Sequence, residues 1–144
     1  MQLKAILLAE DNPMDIELTM EAMAQYNLAN QMVVVNDGVE ALEYLRRTGK
    51  FEGRPQGHPA VILLDIKMPR MDGIEVLREV RQDPDLKLIP VVMLTSSREE
   101  QDLFETYKLG VNAYVVKPVD FKDFVEAVKQ LGAFWALINE MPPS

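Results

Sequence analysis

Glu10 and Asp11, Asp65, Thr95 and Lys117 stand at four separate points of the chain, each directly after a short apolar run. As residue types they are three carboxylates, a hydroxyl and an ammonium. Crowded carboxylates repel one another, and without a counter-ion one is driven toward its protonated form. A hard divalent cation relieves that repulsion, and a few carboxylates with waters and a phosphate oxygen are the donors that magnesium takes. An ammonium and a hydroxyl nearby then suit a phosphoryl group, whose transfer is catalysed mostly by positioning and charge neutralisation. A carboxylate can itself be the covalent acceptor, as an aspartyl phosphate. Taken singly, each residue has a plainer reading. Asp65 and the Glu10-Asp11 pair are turn formers, Thr95 in a Thr-Ser-Ser run is a helix cap, and Lys117 before Pro118 is a surface lysine. The chemistry depends on a fold that brings all five together.

The elements that must position them alternate. Residues 3–9 form a first apolar strand, and Asp11-Asn12-Pro13 is a helix start with Pro near the first helical position. Ile16, Met20, Met23 and Ala24 recur at helical spacing up to about Tyr26. Residues 32–35 make a second buried strand, Asn36-Asp37-Gly38 is turn chemistry, and Val39, Leu42 and Leu45 give a helix to about Thr48, ended by Gly49. Residues 49–59 are the longest loop and carry the only histidine, His58, which reads as a solvent-exposed loop residue. Residues 60–65 are short, rich in Val, Ile and Leu, and bounded by Pro69, as expected of a strand buried on both faces. Ile74, Val76, Leu77 and Val80 give a third helix that closes near Asp83-Pro84. Residues 89–94 are a fourth strand, 99–109 a fourth helix stopped by Gly110, 113–116 a fifth strand, and 120–139 a last helix. Short buried strands alternating with helices predict an α/β, doubly wound, five-stranded parallel sheet. The spatial order 2-1-3-4-5 is taken from flavodoxin-like, CheY-like sheets with the same alternation. In that order strands one and three are neighbours at the switch point. Glu10, Asp11 and Asp65 then share one crevice, with Thr95 and Lys117 on its other wall, and Asp65, central and alone at its strand end, is the best placed acceptor.

Composition narrows the function classes. A chain of 144 residues is expected to be one domain, residues 1–144. It has no cysteine, which excludes disulfides, thiolate metal sites and cysteine nucleophiles, and a cytoplasmic location is the simplest inference. No apolar run approaches the ~20 residues that span a bilayer, and the N-terminus lacks a secretory cleavage pattern. The net charge of −8 disfavours direct nucleic-acid binding, which rests on phosphate neutralisation by Lys and Arg. Residues 119–144 leave room for one helix and no separate binding domain.

The chain resembles the receiver domains of two-component response regulators over residues 3–135. The motifs are Leu8-Ala9-Glu10-Asp11-Asn12, Leu63-Leu64-Asp65-Ile66-Lys67-Met68-Pro69 with Met71-Asp72-Gly73, Leu94-Thr95-Ser96, and Ala113-Tyr114-Val115-Val116-Lys117-Pro118. The segment Arg46-Arg47-Thr48-Gly49-Lys50-Phe51, the long loop and the lack of an output domain are similar to the stand-alone receivers that serve bacterial phytochrome-type histidine kinases. The resemblance implies that Asp65 takes a phosphoryl group from a kinase phosphohistidine. It implies that Asp11, Asp65 and the backbone carbonyl of Lys67 ligate Mg²⁺, that Glu10 holds a water on the metal, and that Lys117 pairs with a phosphoryl oxygen. Thr95 would swing toward the phosphoryl group and Tyr114 move inward behind it, switching the surface around strands four and five and the last helix. Pro118 would follow a cis peptide, and Lys67 and Ser97 sit where dephosphorylation is tuned. Without the family, Tyr114 reads as an ordinary strand aromatic and Pro118 as a turn. The protein would be a regulator that catalyses its own phosphorylation and dephosphorylation, not an enzyme in its own right.

Two further expectations concern alternatives and assembly. A flavin binder shares the fold but needs a phosphate loop that Glu10-Asp11 would repel. A Mg²⁺-dependent phosphatase would use similar acids and a lysine, and a receiver-like scaffold would work without phosphorylation. In the last helix Phe121, Phe124, Val125, Val128 and Leu131 form a core-facing stripe, whereas Ala133-Phe134-Trp135-Ala136-Leu137-Ile138 is apolar all round. That end needs a covering surface, either its own domain or, the favoured reading, a second copy in a homodimer.

Overall fold

The computed structural model describes residues 4–25, 27–96, 107–117, 122, 123 and 126. Five parallel strands, β1 (Ile6–Ala9), β2 (Met32–Val35), β3 (Val61–Asp65), β4 (Val91–Thr95) and β5 (Ala113–Val116), form one sheet in the order β2-β1-β3-β4-β5. Between them run α1 (Pro13–Ala24), α2 (Gly38–Arg46) and α3 (Gly73–Gln82). Tyr107 and Lys108 are helical. Most of the expected helices over 99–109 and 120–139, together with Ser97 and Pro118, lies outside the described residues. No helix among the described residues is long and apolar enough to cross a membrane.

Every residue of β1, β3 and β4 is buried, which is why their sequences are continuous apolar runs and not alternating ones. Successive side chains still point to opposite faces. Leu7, Ala9, Ile62, Leu64, Val91 and Met93 pack with α2 and α3, and Ile6, Leu8, Val61, Leu63, Val92 and Leu94 pack with Ala22 and Met23 of α1. The order is the expected one, with β2 at the edge, but its burial departs from expectation: Met32, Val33 and Val34 are only half-buried. The stripe of α1 also differs: Thr19, Ala22 and Met23 are buried and Ala24 is exposed.

The helix starts are capped as the sequence signals them. Asn12 accepts the Met14 and Asp15 amides before Pro13, Asp37 accepts the Glu40 amide, and Asp72 and Glu75 form a reciprocal capping box. The end of α2 comes earlier than Gly49. Arg47 takes the left-handed conformation (φ 56°) and donates its amide to Glu43 and Tyr44, so the stop is made by an arginine. The following loop is more ordered than its glycines suggest. Residues Gly49–Phe51 form a turn of 3₁₀ helix. Arg54 stacks on the Tyr44 ring and donates to the carbonyls of Tyr44, Pro55 and Gly57. His58 is exposed, as expected, with Nε2 3.6 Å from Asp85 Oδ2.

Gly73 ties the start of α3 to the end of β3. Its amide donates to the Ile66 carbonyl at 2.8 Å, and a Cβ added there would run into the backbone of Asp65 and Ile66. Backbone cannot swing aside as a side chain can. Gly73→Ala is expected to destabilise the fold by about 1–3 kcal/mol, read as a lower urea midpoint with an unchanged slope.

Candidate functional site

Strand register brings the sequence-predicted residues to one edge of the sheet. Ala9 pairs with Leu64 and Asp65 with Leu94, so Glu10 emerges beside Asp65. Thr95 pairs with Val116, and the Lys117 amide donates to the Thr95 carbonyl at 2.8 Å, so Lys117 closes the row. All are at carboxyl ends of strands, around the β1/β3 switch point where open parallel sheets bind ligands.

The carboxylates converge. One oxygen each from Glu10, Asp11 and Asp65 lie within 4.8 Å of one another. Glu10 is fully buried and Asp65 is 6% exposed, while Asp11 faces solvent. Lys117 reaches into the group: its Nζ lies 2.7 Å from Glu10 Oε1 and 3.0 Å from Asp65 Oδ1. The two oxygens of Glu10 are used differently. Oε2 accepts the amides of Asp11 (3.1 Å) and Asn12 (3.2 Å), which fixes the loop after β1. Oε1 has the ion pair but no hydrogen bond of good geometry.

Burial pushes the Glu10 carboxyl up to about 7; the nearby Asp65 carboxylate adds to the rise, against the opposing pull of Lys117. Burial alone would lower the Lys117 ammonium, but Glu10 and Asp65 outweigh it and hold it above its ordinary value. The lysine therefore stays charged, and it neutralises only part of the acidic cluster. An all-oxygen donor set and a surplus of negative charge that one lysine does not cancel fit one hard divalent cation. Asp11 and Asp65 would hold it, with the Glu10 carboxylate beside them.

One member of the site escapes sequence reading. Asp15 Oδ2 lies 3.2 Å from Lys117 Nζ, so three carboxylates share the ammonium. The available signal is local: with Pro13 as the first helical residue, Asp15 falls in the first turn of α1, on the helix that starts at the site. The other predicted residues take distinct positions. Thr95 is 2% exposed at the end of β4. Tyr114 is 37% exposed and meets Tyr107 edge to face at 5.5 Å between ring centres. Lys67 is exposed on the loop after β3.

Residues 6–129 match the response regulator receiver domain family. The chain is 40% identical over 139 residues to Response regulator Rcp1 of Synechocystis sp., covering 96% of this chain and 93% of that protein. The Mn²⁺-bound structure of Rcp1 superposes with a TM-score of 0.75 at 39% identity, over 98% of this chain and 99% of that one. The bacteriophytochrome response regulator RtBRR superposes with a TM-score of 0.87 at 57% identity, over 99% of this chain and 86% of that one. The phosphorylated cyanobacterial phytochrome response regulator RcpA gives a TM-score of 0.77 at 42% identity, over 99% of this chain and 100% of that one.

Proposed function

The chain belongs to the response regulator receiver family, and on that premise we propose that Asp65 accepts a phosphoryl group from a phosphohistidine of a phytochrome-type sensor kinase. The observation that carries this reading is the buried Asp65 carboxylate, 3.0 Å from Lys117 Nζ and beside the Glu10-Asp11 pair. An Asp65 oxygen attacks phosphorus in line with the bond to the histidine nitrogen. The P–O bond forms as the P–N bond breaks, and the leaving imidazole keeps the electron pair and takes up a proton. Lys117 is placed to follow the charge from the Asp65 carboxylate onto a phosphoryl oxygen. In this reading the ion is Mg²⁺, held by Asp11, Asp65 and the Lys67 carbonyl, with Glu10 acting through water. When bound, it neutralises charge on the phosphoryl oxygens.

The same reading makes residues 1–144 one regulatory domain in the cytoplasm that phosphorylates and dephosphorylates itself. Thr95, one position along from Lys117 in the β4–β5 register, would bond the phosphoryl group, and Tyr114 would leave the surface as it does so. The apolar end of the last helix would join two copies. Light scattering at micromolar concentration should then give the mass of a dimer; a monomeric mass would remove that part of the reading.

The direct test incubates the protein with Mg²⁺ and acetyl phosphate and maps the modified residue. A single acid-stable, base-labile phosphoryl group on Asp65 is expected. Continuous turnover of a small phosphoester would favour a phosphatase, and no labelling would favour a scaffold that works without phosphorylation.

Metal binding carries its own pH signature. A cation needs Glu10 ionised, and the metal-free carboxyl titrates at about 7. Protons therefore compete with the metal below that value and not above it. Mg²⁺ affinity is expected to fall about tenfold between pH 8 and pH 6, measured by calorimetric titration at each pH. An affinity that is flat over this range would contradict the role of Glu10.

A further inference from the structure

The turn after β2 grips both loops that carry the acidic groups. Asn36 Nδ2 donates to the Glu10 carbonyl at 3.3 Å. The Gly38 amide donates to the Met71 carbonyl at 3.0 Å, on the loop between β3 and α3. Asp37, between them, divides its carboxylate. Oδ1 accepts the Glu40 amide at 2.8 Å and caps α2. Oδ2 receives two guanidinium nitrogens of Arg70, Nε at 2.9 Å and an amino group at 2.8 Å.

A cap needs only one oxygen, and Asn or Ser serves as well. Asp37 is 7% exposed, and a buried carboxylate at a turn is unfavourable unless its charge is paired. Its second oxygen is thus committed to Arg70. Burial would raise the Asp37 carboxyl, but the Glu40 amide and the Arg70 guanidinium outweigh it and keep it below its ordinary value. Arg70 is itself held in the left-handed region, at φ 65°, which non-glycine residues seldom adopt. The Met71 amide closes on the Pro69 carbonyl at 2.7 Å beside it. The loop from Ile66 to Asp72 is therefore fastened at Gly73 on one side and at Arg70 and Met71 on the other.

We propose that Asp37 and Arg70 are positioning residues for the metal and phosphoryl site: their ion pair holds the loop carrying Lys67 against the turn after β2, whose Asn36 bonds the Glu10 carbonyl, and so sets the spacing between the Lys67 carbonyl and the Glu10-Asp11 pair. Neither residue touches the reacting group. The proposal rests on the function argued above, because it assumes that a divalent cation occupies that spacing.

The test titrates the full chain with Mg²⁺ alone by calorimetry and follows unfolding of the same samples. Arg70→Ala is expected to weaken Mg²⁺ binding about tenfold, as loss of a residue that orients metal ligands does. Arg70→Lys restores part of it, because an ammonium can reach Asp37 Oδ2 with one contact where the fork makes two. Arg46→Ala, which removes the ion pairs of α2 to Glu79 and Asp83, is expected to lower stability and leave Mg²⁺ affinity unchanged. A purely structural role for Arg70 predicts that Arg70→Ala behaves like Arg46→Ala, and that result overturns the proposal. If Arg70→Ala does not fold, Asp37→Asn keeps the cap oxygen and removes the charge, and the same tenfold loss decides the matter. Wild-type protein that binds no Mg²⁺ would overturn the metal reading, and this proposal with it; normal wild-type binding with an unaffected Arg70→Ala would overturn this proposal alone.

Discussion

Asp65→Asn is expected to take up no phosphate from acetyl phosphate. The amide matches the carboxylate in shape, so β3 and its packing are preserved, but its nitrogen and carbonyl oxygen do not form an acyl phosphate. The substitution also removes one of the three carboxylates on Lys117 and one of the three that cluster at the strand ends. Labelling should drop below detection in the presence of Mg²⁺, with the far-ultraviolet circular dichroism unchanged. Intact mass and peptide mapping are the measurements. The same amount of phosphate on Asp65→Asn as on the wild type would refute Asp65 as acceptor; transfer of the label to Asp11 would mean that the metal-binding and acceptor roles are exchanged. A second readout is electrostatic. Asp65 raises the Glu10 carboxyl, so Glu10 in Asp65→Asn should titrate lower than in the wild type, a shift visible by carboxyl NMR.

The outline of this site is legible in the chain because its parts sit at fixed places in a repeating pattern. Each apolar run of β1, β3, β4 and β5 ends one residue before or at a polar group, and parallel pairing puts all the strand ends on one edge. What the chain does not display is pairing between residues far apart in sequence that lack a periodic pattern. The Lys117–Asp15 contact joins residues 102 positions apart, and nothing in the type of either residue selects the other. The Asp37–Arg70 pair is hidden for the same reason, behind a turn signal that accounts for Asp37 by itself. The burial of β2 is another case. Met32-Val33-Val34-Val35 has the composition of a strand covered on both faces, and although the expected order sets it at the edge, its continuous apolar run hides that three of its residues are only half-buried. The early stop of α2 at Arg47 is a local competition: Gly49 is the better left-handed residue by intrinsic preference, yet both adopt positive φ, and the helix ends at the first of them.

Lys117→Ala separates the two duties that geometry gives this lysine. It is the ammonium between two buried carboxylates and a third on α1. Removing one partner of a buried ion pair leaves uncompensated charge, which destabilises by about 3–5 kcal/mol. The size should depend on pH with a definite sign. Glu10 in the fold titrates at about 7, above its ordinary 4.5. Its contribution to stability is present below the lower value and is lost as pH rises through the upper one. The loss in Lys117→Ala is therefore expected to be larger at pH 8.5, where Glu10 carries its charge, than at pH 6, where Glu10 takes a proton. Mg²⁺ should then stabilise the variant more than the wild type, since the cation supplies the positive charge that the lysine did. If Lys117 served only as a counter-ion, saturating Mg²⁺ would restore phosphorylation together with stability. If it also stabilises charge developing on the phosphoryl oxygens, the rate of acyl phosphate formation stays lower by roughly 10²-fold even at saturating Mg²⁺. Stability recovered without rate is the expected result, and recovery of both would confine Lys117 to a structural role.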